Sequence, residues 1–205
     1  DAIKQAWFKN EIVPVSVKNK KAVIIINEDE QPKKSKLEKI PTLRAVFKKE
    51  GGSVTAANSS SISDGAAVVM LMTQAYAHAN HIKPIARIVA HCGFAQAPED
   101  FTTAPVGAIK KIHAILGWSV DNVDLYEINE AFAVVTMAAM LELKLPHEKV
   151  NIHGGACALG HPIGASGARI VTTLIHALKQ RKLRRGIASL CIGGGEATAI
   201  AVELL

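Results

Sequence analysis

Two segments of this sequence carry the side chains best suited to chemistry. The first is a loop at 151–169, where five glycines and a His-Pro pair occur within nineteen residues. Pro162 disfavours a helical conformation of the residue before it, so we expect an extended loop to present His161. An imidazole titrates near neutral pH, which suits a general base. The second is Cys191, which ends an apolar run before a glycine turn, where a thiol can carry a proton if a positive group lies near it.

Three motifs, in this order along the chain, resemble those of the thiolases, the acyl-CoA C-acyltransferases. Residues 129–132 (Asn-Glu-Ala-Phe) resemble the asparagine motif, residues 154–169 (Gly-Gly-Ala-Cys-Ala-Leu-Gly-His-Pro-Ile-Gly-Ala-Ser-Gly-Ala-Arg) the histidine signature, and residues 191–195 (Cys-Ile-Gly-Gly-Gly) the C-terminal cysteine motif. Segments 54–58 and 63–67 extend the resemblance over nearly the whole chain. One such match would be weak evidence, whereas three in order are specific.

The resemblance implies thioester chemistry, which needs a nucleophilic thiol, a base, a carrier for the α-carbon proton and donors for oxyanions. His161 would be the base and, through Nε2, an oxyanion donor, and Cys191 would carry the α-carbon proton. Asn129 would hold a water in one oxyanion site, and the backbone N–H of Gly193 would donate in the other. Each residue taken singly has a structural alternative, since a cysteine that closes an apolar strand is usually a core thiol.

The nucleophilic thiol is the piece that the resemblance does not supply. Neither Cys92 nor Cys157 lies in a sequence like the nucleophile motif of the thiolases, so we expect that cysteine in an N-terminal region that this chain lacks. His153 and Cys157 also stand where the thiolase pattern leads us to expect Asn and an aliphatic residue. The first residue, Asp1, suggests a cut chain, and alone the chain is expected to be inactive.

The expected function is therefore that of the C-terminal part of a short-chain thiolase, an acetyl-CoA C-acetyltransferase that joins two acetyl-CoA molecules or cleaves acetoacetyl-CoA. A 3-ketoacyl-CoA thiolase of fatty-acid degradation and a non-catalytic CoA-binding or assembly subunit stay open as alternatives. Coenzyme A is substrate or product, and no cofactor or metal is expected. The residues expected to contact the CoA thioester are Ser60, Phe101, Ala131 and Phe132, with Lys34 and Lys39 near its phosphates. Solvated surface lysines are the alternative reading of the last two.

Composition limits the class of protein. The 205 residues are 49% hydrophobic and 20% charged, enough to bury a core. A net charge of +6 suits a polyanionic small molecule better than a nucleic acid, because the basic residues are dispersed and only two Trp and two Tyr could stack on bases. No apolar run reaches membrane-spanning length. We expect a protein of the cytoplasm, or of the mitochondrial matrix in a eukaryote, that forms a homo-oligomer, either a dimer or a tetramer.

The pattern of elements predicts an α/β fold with a mostly parallel sheet, and the resemblance implies the layered αβαβα arrangement of thiolases. A hairpin is predicted from strands at 11–17 and 21–26. The other strands are predicted at 66–72, 85–90, 123–128, 149–153, 186–192 and 197–205, the last two as a hairpin. Helices are predicted at 1–10, 73–80, 104–116 and 131–143, the last buried on nearly every face, with another after the His161 loop. The expected domains are a partial loop domain (1–62), the last elements of the N-terminal domain (63–82) and the C-terminal domain (83–205).

Overall fold

The first 82 residues contain few regular elements. The structure, a computed structural model, describes residues 1–20 and 22–205. Strands β1 (Val15–Lys18) and β2 (Val23–Ile26) form an antiparallel hairpin, as predicted, although Lys21 of the predicted second strand lies outside the described residues. Two short helices follow, α1 (Gln31–Lys34) and α2 (Gln74–Ala79), with a 3₁₀ helix at Leu37–Thr42.

A four-stranded mixed sheet forms the centre of the remaining chain. Its strands are β3 (Ala86–Ala95), β4 (Leu125–Ile128), β5 (Arg185–Ile192) and β6 (Glu196–Leu204), in the spatial order β3-β6-β5-β4. The pairs β3–β6 and β5–β6 are antiparallel, and the pair β4–β5 is parallel. The α/β class and the final hairpin are confirmed, but the prediction of a mostly parallel sheet was wrong. Two of its three strand pairs are antiparallel, because β6 turns back from β5 and β3 then pairs with β6.

Helices cover both faces of this sheet. Helices α3 (Ala104–Leu116) and α4 (Ala133–Leu143) pack on one face, and α6 (Ser166–Arg181) packs on the other; the short helix α5 (Ala156–Leu159) precedes the His161 loop. Neighbouring strand residues point to opposite faces, so Ile187 of β5 enters the α3–α4 core and Ala188 enters the α6 core. Each fully buried Leu or Ile in these cores stabilises the fold by about 1.5–3 kcal/mol. Gly117 ends α3 in the left-handed conformation, which glycine adopts without strain.

Four predicted elements differ in the structure. Residues 1–10 form irregular turns and not a helix, because Ala6 adopts a positive φ of 55°. Segment 66–72 is irregular and exposed, with Val68 90% exposed, because no strand lies beside it among the described residues. Segment 149–153 contributes a single bridge to β4, since Asn151 has a φ of 46°. Helix α4 buries only one face in this chain.

The N-terminal turns dock on α6 through aromatic side chains. The ring of Trp7 lies 4.9 Å from that of His153, and the ring of Phe8 meets His153 edge-on at 5.8 Å. The guanidinium of Arg181 lies over Trp7, and Gln180 donates a hydrogen bond to the Trp7 carbonyl. His153 is buried, and neither of its ring nitrogens has a hydrogen-bond partner among the described residues. Burial, aided by Arg181, lowers the pKa of His153 below its ordinary 6.5.

We predict that His153 opposes this docking in acid. The undocked state binds the His153 proton first as the pH falls below 6.5, so the free energy of docking falls by up to about 1.4 kcal/mol per pH unit until the lower, docked pKa is reached. The fluorescence of Trp7, measured in a Trp118→Phe background, should change with this pH dependence between pH 8 and pH 5. Adding His153→Asn should remove this contribution and leave only that of Glu11, whose pKa, raised to about 7 by burial, favours docking in acid. An unchanged pH curve in the His153→Asn protein would contradict the prediction.

Candidate active site

The backbone around His161 is fixed by the segment at 58–63. His161 N–H donates to the Ser61 carbonyl at 2.9 Å, and Ile62 forms a parallel bridge with His161. The preceding Gly160 has a φ of 94°, and a Cβ there would lie 2.1 Å from Ser63 Oγ. Only glycine fits this close approach, and the extended conformation predicted from Pro162 is present. The loop therefore presents the imidazole at a defined position.

The imidazole of His161 is held at both nitrogens. Its Nδ1 lies 2.6 Å from Ser166 Oγ, and its Nε2 lies 3.3 Å from Asn129 Nδ2. Because the Ser166 hydroxyl donates its proton to the Pro162 carbonyl at 3.1 Å, its oxygen accepts from Nδ1–H. The network thus assigns the proton to Nδ1 and leaves the lone pair of Nε2 to accept from the Asn129 amide. Nε2 is the nitrogen available as a base.

The electrostatic surroundings favour the neutral imidazole. Burial lowers the pKa of His161, and the positive charge of Arg169 lowers it further. At neutral pH the ring can accept a proton, and once protonated it can donate from Nε2 to a developing oxyanion. Asn129 is itself buried, and its Oδ1 has no hydrogen-bond partner among the described residues, so it can accept from a water in the site.

Asn129 and Cys191 lie at the same edge of the sheet. Asn129 N–H donates to the Ser189 carbonyl and so extends the parallel β4–β5 pairing by one residue, two positions before Cys191. Parallel strands end at the same edge, so the residues that follow them converge there. Gly193 begins the turn into β6, and a Cβ there would meet no described atom within 4 Å. Three of the predicted catalytic residues, Asn129, Cys191 and Gly193, thus share one edge.

The thiol of Cys191 is buried and protonated at rest. Its exposure is 8%, and burial raises the pKa of the thiol, opposed only by a backbone hydrogen bond. A thiolate that carries a proton needs a positive group near it. No such group contributes to the pKa shift of Cys191. As it stands, the side chain suits an acid that gives up a proton only when a base or a ligand approaches.

Four of the predicted CoA-contacting residues meet beside the site. Ser60 donates from N–H and Oγ to the Ala131 carbonyl at 3.1 and 3.0 Å, and Ser59 bridges to Phe132. The rings of Phe101 and Phe132 meet edge to face at 6.3 Å. Phe47, which the sequence analysis missed, meets the Phe132 ring at 5.8 Å and widens this aromatic wall.

Lys34 and Lys39 are not joined to this group. Lys34 forms an exposed ion pair with Glu30, and Lys39 lies exposed on the 3₁₀ helix. Among residues 1–20 and 22–205, no side-chain hydrogen bond or ion pair connects either lysine to the four residues around Phe132. Their predicted contact with CoA phosphates stays a prediction.

Glu130 is a site-supporting residue that the sequence analysis missed, although it follows Asn129 in the motif. Its carboxylate accepts from the Cys157 N–H at 3.1 Å and from Asn151 Nδ2 at 3.3 Å. The same Asn151 side chain bonds to the backbone of Ile128 at 2.8 Å through both its amide atoms. These bonds fasten the start of the His161 loop to the end of β4. Burial first, and then the charge of Glu130 and its hydrogen bond with the side chain, raise the pKa of the Cys157 thiol to about 12, so this thiol is a poor nucleophile.

Other features of the described residues bear on the function classes. No helix among them is both long and apolar enough to cross a membrane. No three of their His, Cys, Asp or Glu side chains are grouped in a way that could hold a metal ion.

Comparison with known proteins gives consistent matches along the chain. The family model described as the thiolase C-terminal domain matches residues 82–204, and that of the thiolase N-terminal domain matches residues 1–75. A mitochondrial acetyl-CoA acetyltransferase of Rattus norvegicus is 47% identical over 98% of the chain and 48% of its own length. The acetyl-CoA acetyltransferase of Syntrophomonas wolfei is 45% identical over 100% of the chain and 52% of its own length. The chain spans about half the length of the curated relatives it matches.

Solved structures of related enzymes superpose on the whole chain. An acetyl-CoA acetyltransferase of Bacillus anthracis, 43% identical, superposes with a TM-score of 0.95 over the whole chain and 52% of its own length. A human mitochondrial 3-ketoacyl-CoA thiolase, 34% identical, gives 0.89 over the whole chain and 52% of its own length. The predicted fold class is confirmed by these superpositions.

We predict that Ser166 sets the tautomer of His161. In Ser166→Ala the acceptor for Nδ1–H is lost, a loss of about 1 kcal/mol, and the ring should shift toward the Nε2–H form. Nitrogen-15 NMR of the histidine ring at pH 8 measures the two forms directly. Thr172→Ala is the matched control, because the Thr172 hydroxyl donates to the Ala168 carbonyl of the same helix. Equal tautomer populations in the two variants would argue against the assignment.

Proposed function

Since the chain belongs to the thiolase family and spans about half the length of its relatives, we propose that it supplies the C-terminal part of an acetyl-CoA C-acetyltransferase. The complete enzyme would join two acetyl-CoA molecules or cleave acetoacetyl-CoA with free CoA. The observation that carries the proposal is the His161 ring, bonded at Nδ1 to Ser166 and at Nε2 to Asn129. Relatives with 45–47% identity named acetyl-CoA acetyltransferase support this choice of substrate.

The first half-reaction uses His161 as a base. Nε2 takes the proton of a cysteine thiol that an N-terminal thiolase region supplies, and the thiolate attacks the thioester carbonyl carbon. The tetrahedral oxyanion accepts hydrogen bonds from the donors at the edge of the sheet. When the carbon–sulfur bond to CoA breaks, the leaving thiolate takes the proton from His161. The result is an acetyl-cysteine and free CoA.

The second half-reaction uses Cys191. Its thiol first gives its proton to Nε2 of His161, which is free again once CoA has left, and the resulting thiolate removes a proton from the methyl group of a second acetyl-CoA. The carbanion attacks the acetyl-cysteine carbonyl. The nucleophilic cysteine leaves as a thiolate and takes the proton from His161 Nε2, so acetoacetyl-CoA forms and all three groups return to their starting states. His161 Nε2–H and a water on Asn129 would stabilise the enolate oxygen, and Gly193 N–H would stabilise the oxyanion of the acetyl group. Because burial disfavours the Cys191 thiolate, the step needs a bound thioester to complete the surroundings of the thiol.

Coenzyme A would enter along the aromatic wall. We place its pantetheine arm beside Ser60, Ala131 and the rings of Phe101 and Phe132, and its phosphates near Lys34 and Lys39. The crystal structure of the Ascaris suum Acat5 thiolase in complex with coenzyme A, 40% identical to this chain and superposing with a TM-score of 0.88, supports a CoA site in this fold. The loop-domain residues 1–62 would cover the nucleotide end.

An apolar cavity is where we propose that an N-terminal thiolase region binds. A cavity of about 950 Å³ lies between segment 68–72, helix α6 and the outer face of β3 and β6, and apolar atoms make up most of its surface. Met70 is 82% exposed beside it. An apolar cavity of this size favours a protein segment as its occupant. We assign it to the N-terminal thiolase region, whether that region comes from the same or a separate chain.

Oligomeric state and location follow from the same proposal. We propose a homo-oligomer, a dimer or tetramer, since the hairpin of β1 and β2 exposes Val15, Val17, Ile24 and Ile25. We propose the cytoplasm as its location, with the mitochondrial matrix as the alternative because the rat relative is named mitochondrial.

A 3-ketoacyl-CoA thiolase is the second candidate for the function, supported by the human structure at 34% identity. A non-catalytic CoA-binding subunit is the third.

We predict that this chain alone neither cleaves acetoacetyl-CoA nor forms a stable acetyl-enzyme. Mixing it with the N-terminal region of the Syntrophomonas wolfei relative should restore both, because the added region supplies the acyl-accepting thiol. Cleavage is followed spectroscopically, and the acetyl adduct is located by mass spectrometry. His161→Gln in the mixture is the control for chemistry at this site. Turnover by the isolated chain would contradict the residue assignments, and a mixture that binds CoA without turnover would favour the non-catalytic subunit.

We predict that Cys191→Ala separates the two half-reactions. The reconstituted variant should still form the acetyl-enzyme but lose deuterium exchange at the methyl group of acetyl-CoA by about 10²–10⁴-fold, the usual contribution of a general base. Cys92→Ala is the matched control, because Cys92 is also 8% exposed and its thiol donates to the Ala108 carbonyl of α3. A Cys191→Ala protein that exchanges deuterium at the wild-type rate would exclude this role.

A further inference from the structure

Behind the candidate site, Arg169 of α6 lies among carboxylates from three other segments. Its Nη1 is 3.7 Å from Oε2 of Glu127, a residue of β4 that is 2% exposed. Glu11 in the N-terminal turns and Asp29 after β2 are also within electrostatic reach of the guanidinium. Arg169 of α6 therefore contacts β4 and acts electrostatically on two carboxylates of the first thirty residues.

The Glu127–Arg169 pair runs beside the contacts that hold His161. Glu127 precedes Asn129 by two positions, so both side chains point to the same side of the strand. Arg169 follows Ser166 by three positions on α6, so both lie on one face of the helix. The two elements are thus connected twice, once through Glu127 and Arg169 and once through the His161 ring. This contact between Arg169 and the carboxyl of Glu127, which burial keeps mostly protonated at neutral pH, limits the distance across which the ring must fit.

The charge of Arg169 also acts on the imidazole of His161. Burial is the main cause that raises the pKa of Glu127 to about 8, and Arg169 opposes it. The guanidinium also lowers the pKa of His161, after burial as the first cause. The titratable groups that face this region are therefore Arg169 from α6, Glu127 from β4, Glu130 from the segment after β4, Glu11 from the N-terminal turns and Asp29 from the turn after β2.

We propose that Arg169 is a positioning residue for the thiolase reaction, which with Glu127 fixes the spacing of β4 and α6 so that Asn129 and Ser166 engage both nitrogens of His161 together. The effect of Arg169 on catalysis rests on the proposed function, but its effect on the position of the His161 ring does not. Arg169 touches no reacting atom in this account. Its role is to hold the imidazole neutral and correctly oriented.

The first test uses the isolated chain and needs no activity. Histidine-labelled protein is titrated by NMR, with the His161 signal assigned from His161→Gln. In Arg169→Met the pKa of His161 should rise, because a neighbouring positive charge is removed, and the Nδ1–H tautomer should lose population, because the spacing relaxes. Arg169→Lys should keep the pKa near that of the wild type while still disturbing the tautomer.

Arg181→Met is the matched control. It removes the same charge from the same helix, but Arg181 acts on His153, so the pKa of His153 should move and that of His161 should not. An unchanged titration of His113, which bonds to the Tyr126 hydroxyl at 3.0 Å, verifies that each variant folds. If Arg169→Met unfolds the chain, the tautomer population of His161 in Arg169→Lys decides whether Arg169 positions the ring. A His161 signal equal to wild type in both Arg169 variants, or in Arg169→Lys where only that variant folds, would overturn the proposal.

The second test uses the reconstituted enzyme. Arg169→Met should lower kcat by up to about 100-fold, the scale of a 1 Å misplacement, with little change in KM for acetoacetyl-CoA. Its kcat–pH profile should shift in the same direction as the His161 titration, and Arg169→Lys should recover part of the rate. A higher KM with normal kcat would assign Arg169 to substrate binding and contradict the proposal. If no mixture is active, the proposed function is contradicted, while the NMR result still decides whether Arg169 positions the His161 ring.

Discussion

The double anchoring of the His161 imidazole is the constraint on which the rest of this site depends. Ser166 orients the ring through Nδ1 from α6, and Asn129 meets Nε2 from the end of β4. The ring can satisfy both contacts only if the strand and the helix stay at a fixed separation. The α6 core between them sets that separation through Leu125, Ile170 and Leu174. A neutral imidazole with a free Nε2 lone pair is the state that a base in thioester chemistry needs.

The remaining groups of the site follow from the sheet. Cys191 and Gly193 reach the same edge as Asn129 because β4 and β5 are parallel neighbours, even though the sheet as a whole is mixed. In the proposed function the site is half of a reaction centre, with His161 as base, Cys191 as proton carrier and the oxyanion donors beside them, and the three thiols in the chain are free. The apolar cavity beside α6 is where we propose that an additional thiolase region binds.

Motif and periodicity predicted much of this arrangement. Helices α3 and α6 and the final hairpin follow from local patterns that act within a few residues, and the motifs supplied the residues that we propose as catalytic. The elements that failed depend on distant partners. Segment 66–72 has the composition of a buried strand, but a strand needs a neighbour, and none is paired with it among the described residues. The roles of Arg169, Glu127 and Ser166 could not be predicted, because an ion pair and a hydrogen bond across the fold leave no spacing signal in the sequence. Glu130 was within reach, since it lies inside a motif already identified.

The most direct test of the central claim is a crystal structure of the reconstituted enzyme trapped as its acetyl-enzyme. The account predicts an acetyl group on a cysteine of the N-terminal region, with the sulfur within about 3.2 Å of His161 Nε2, the reach of a general base. It also predicts the acetyl carbonyl oxygen next to Gly193 N–H. An acetyl group on Cys92, Cys157 or Cys191, or a His161 ring turned so that Nδ1 faces the thioester, would contradict it.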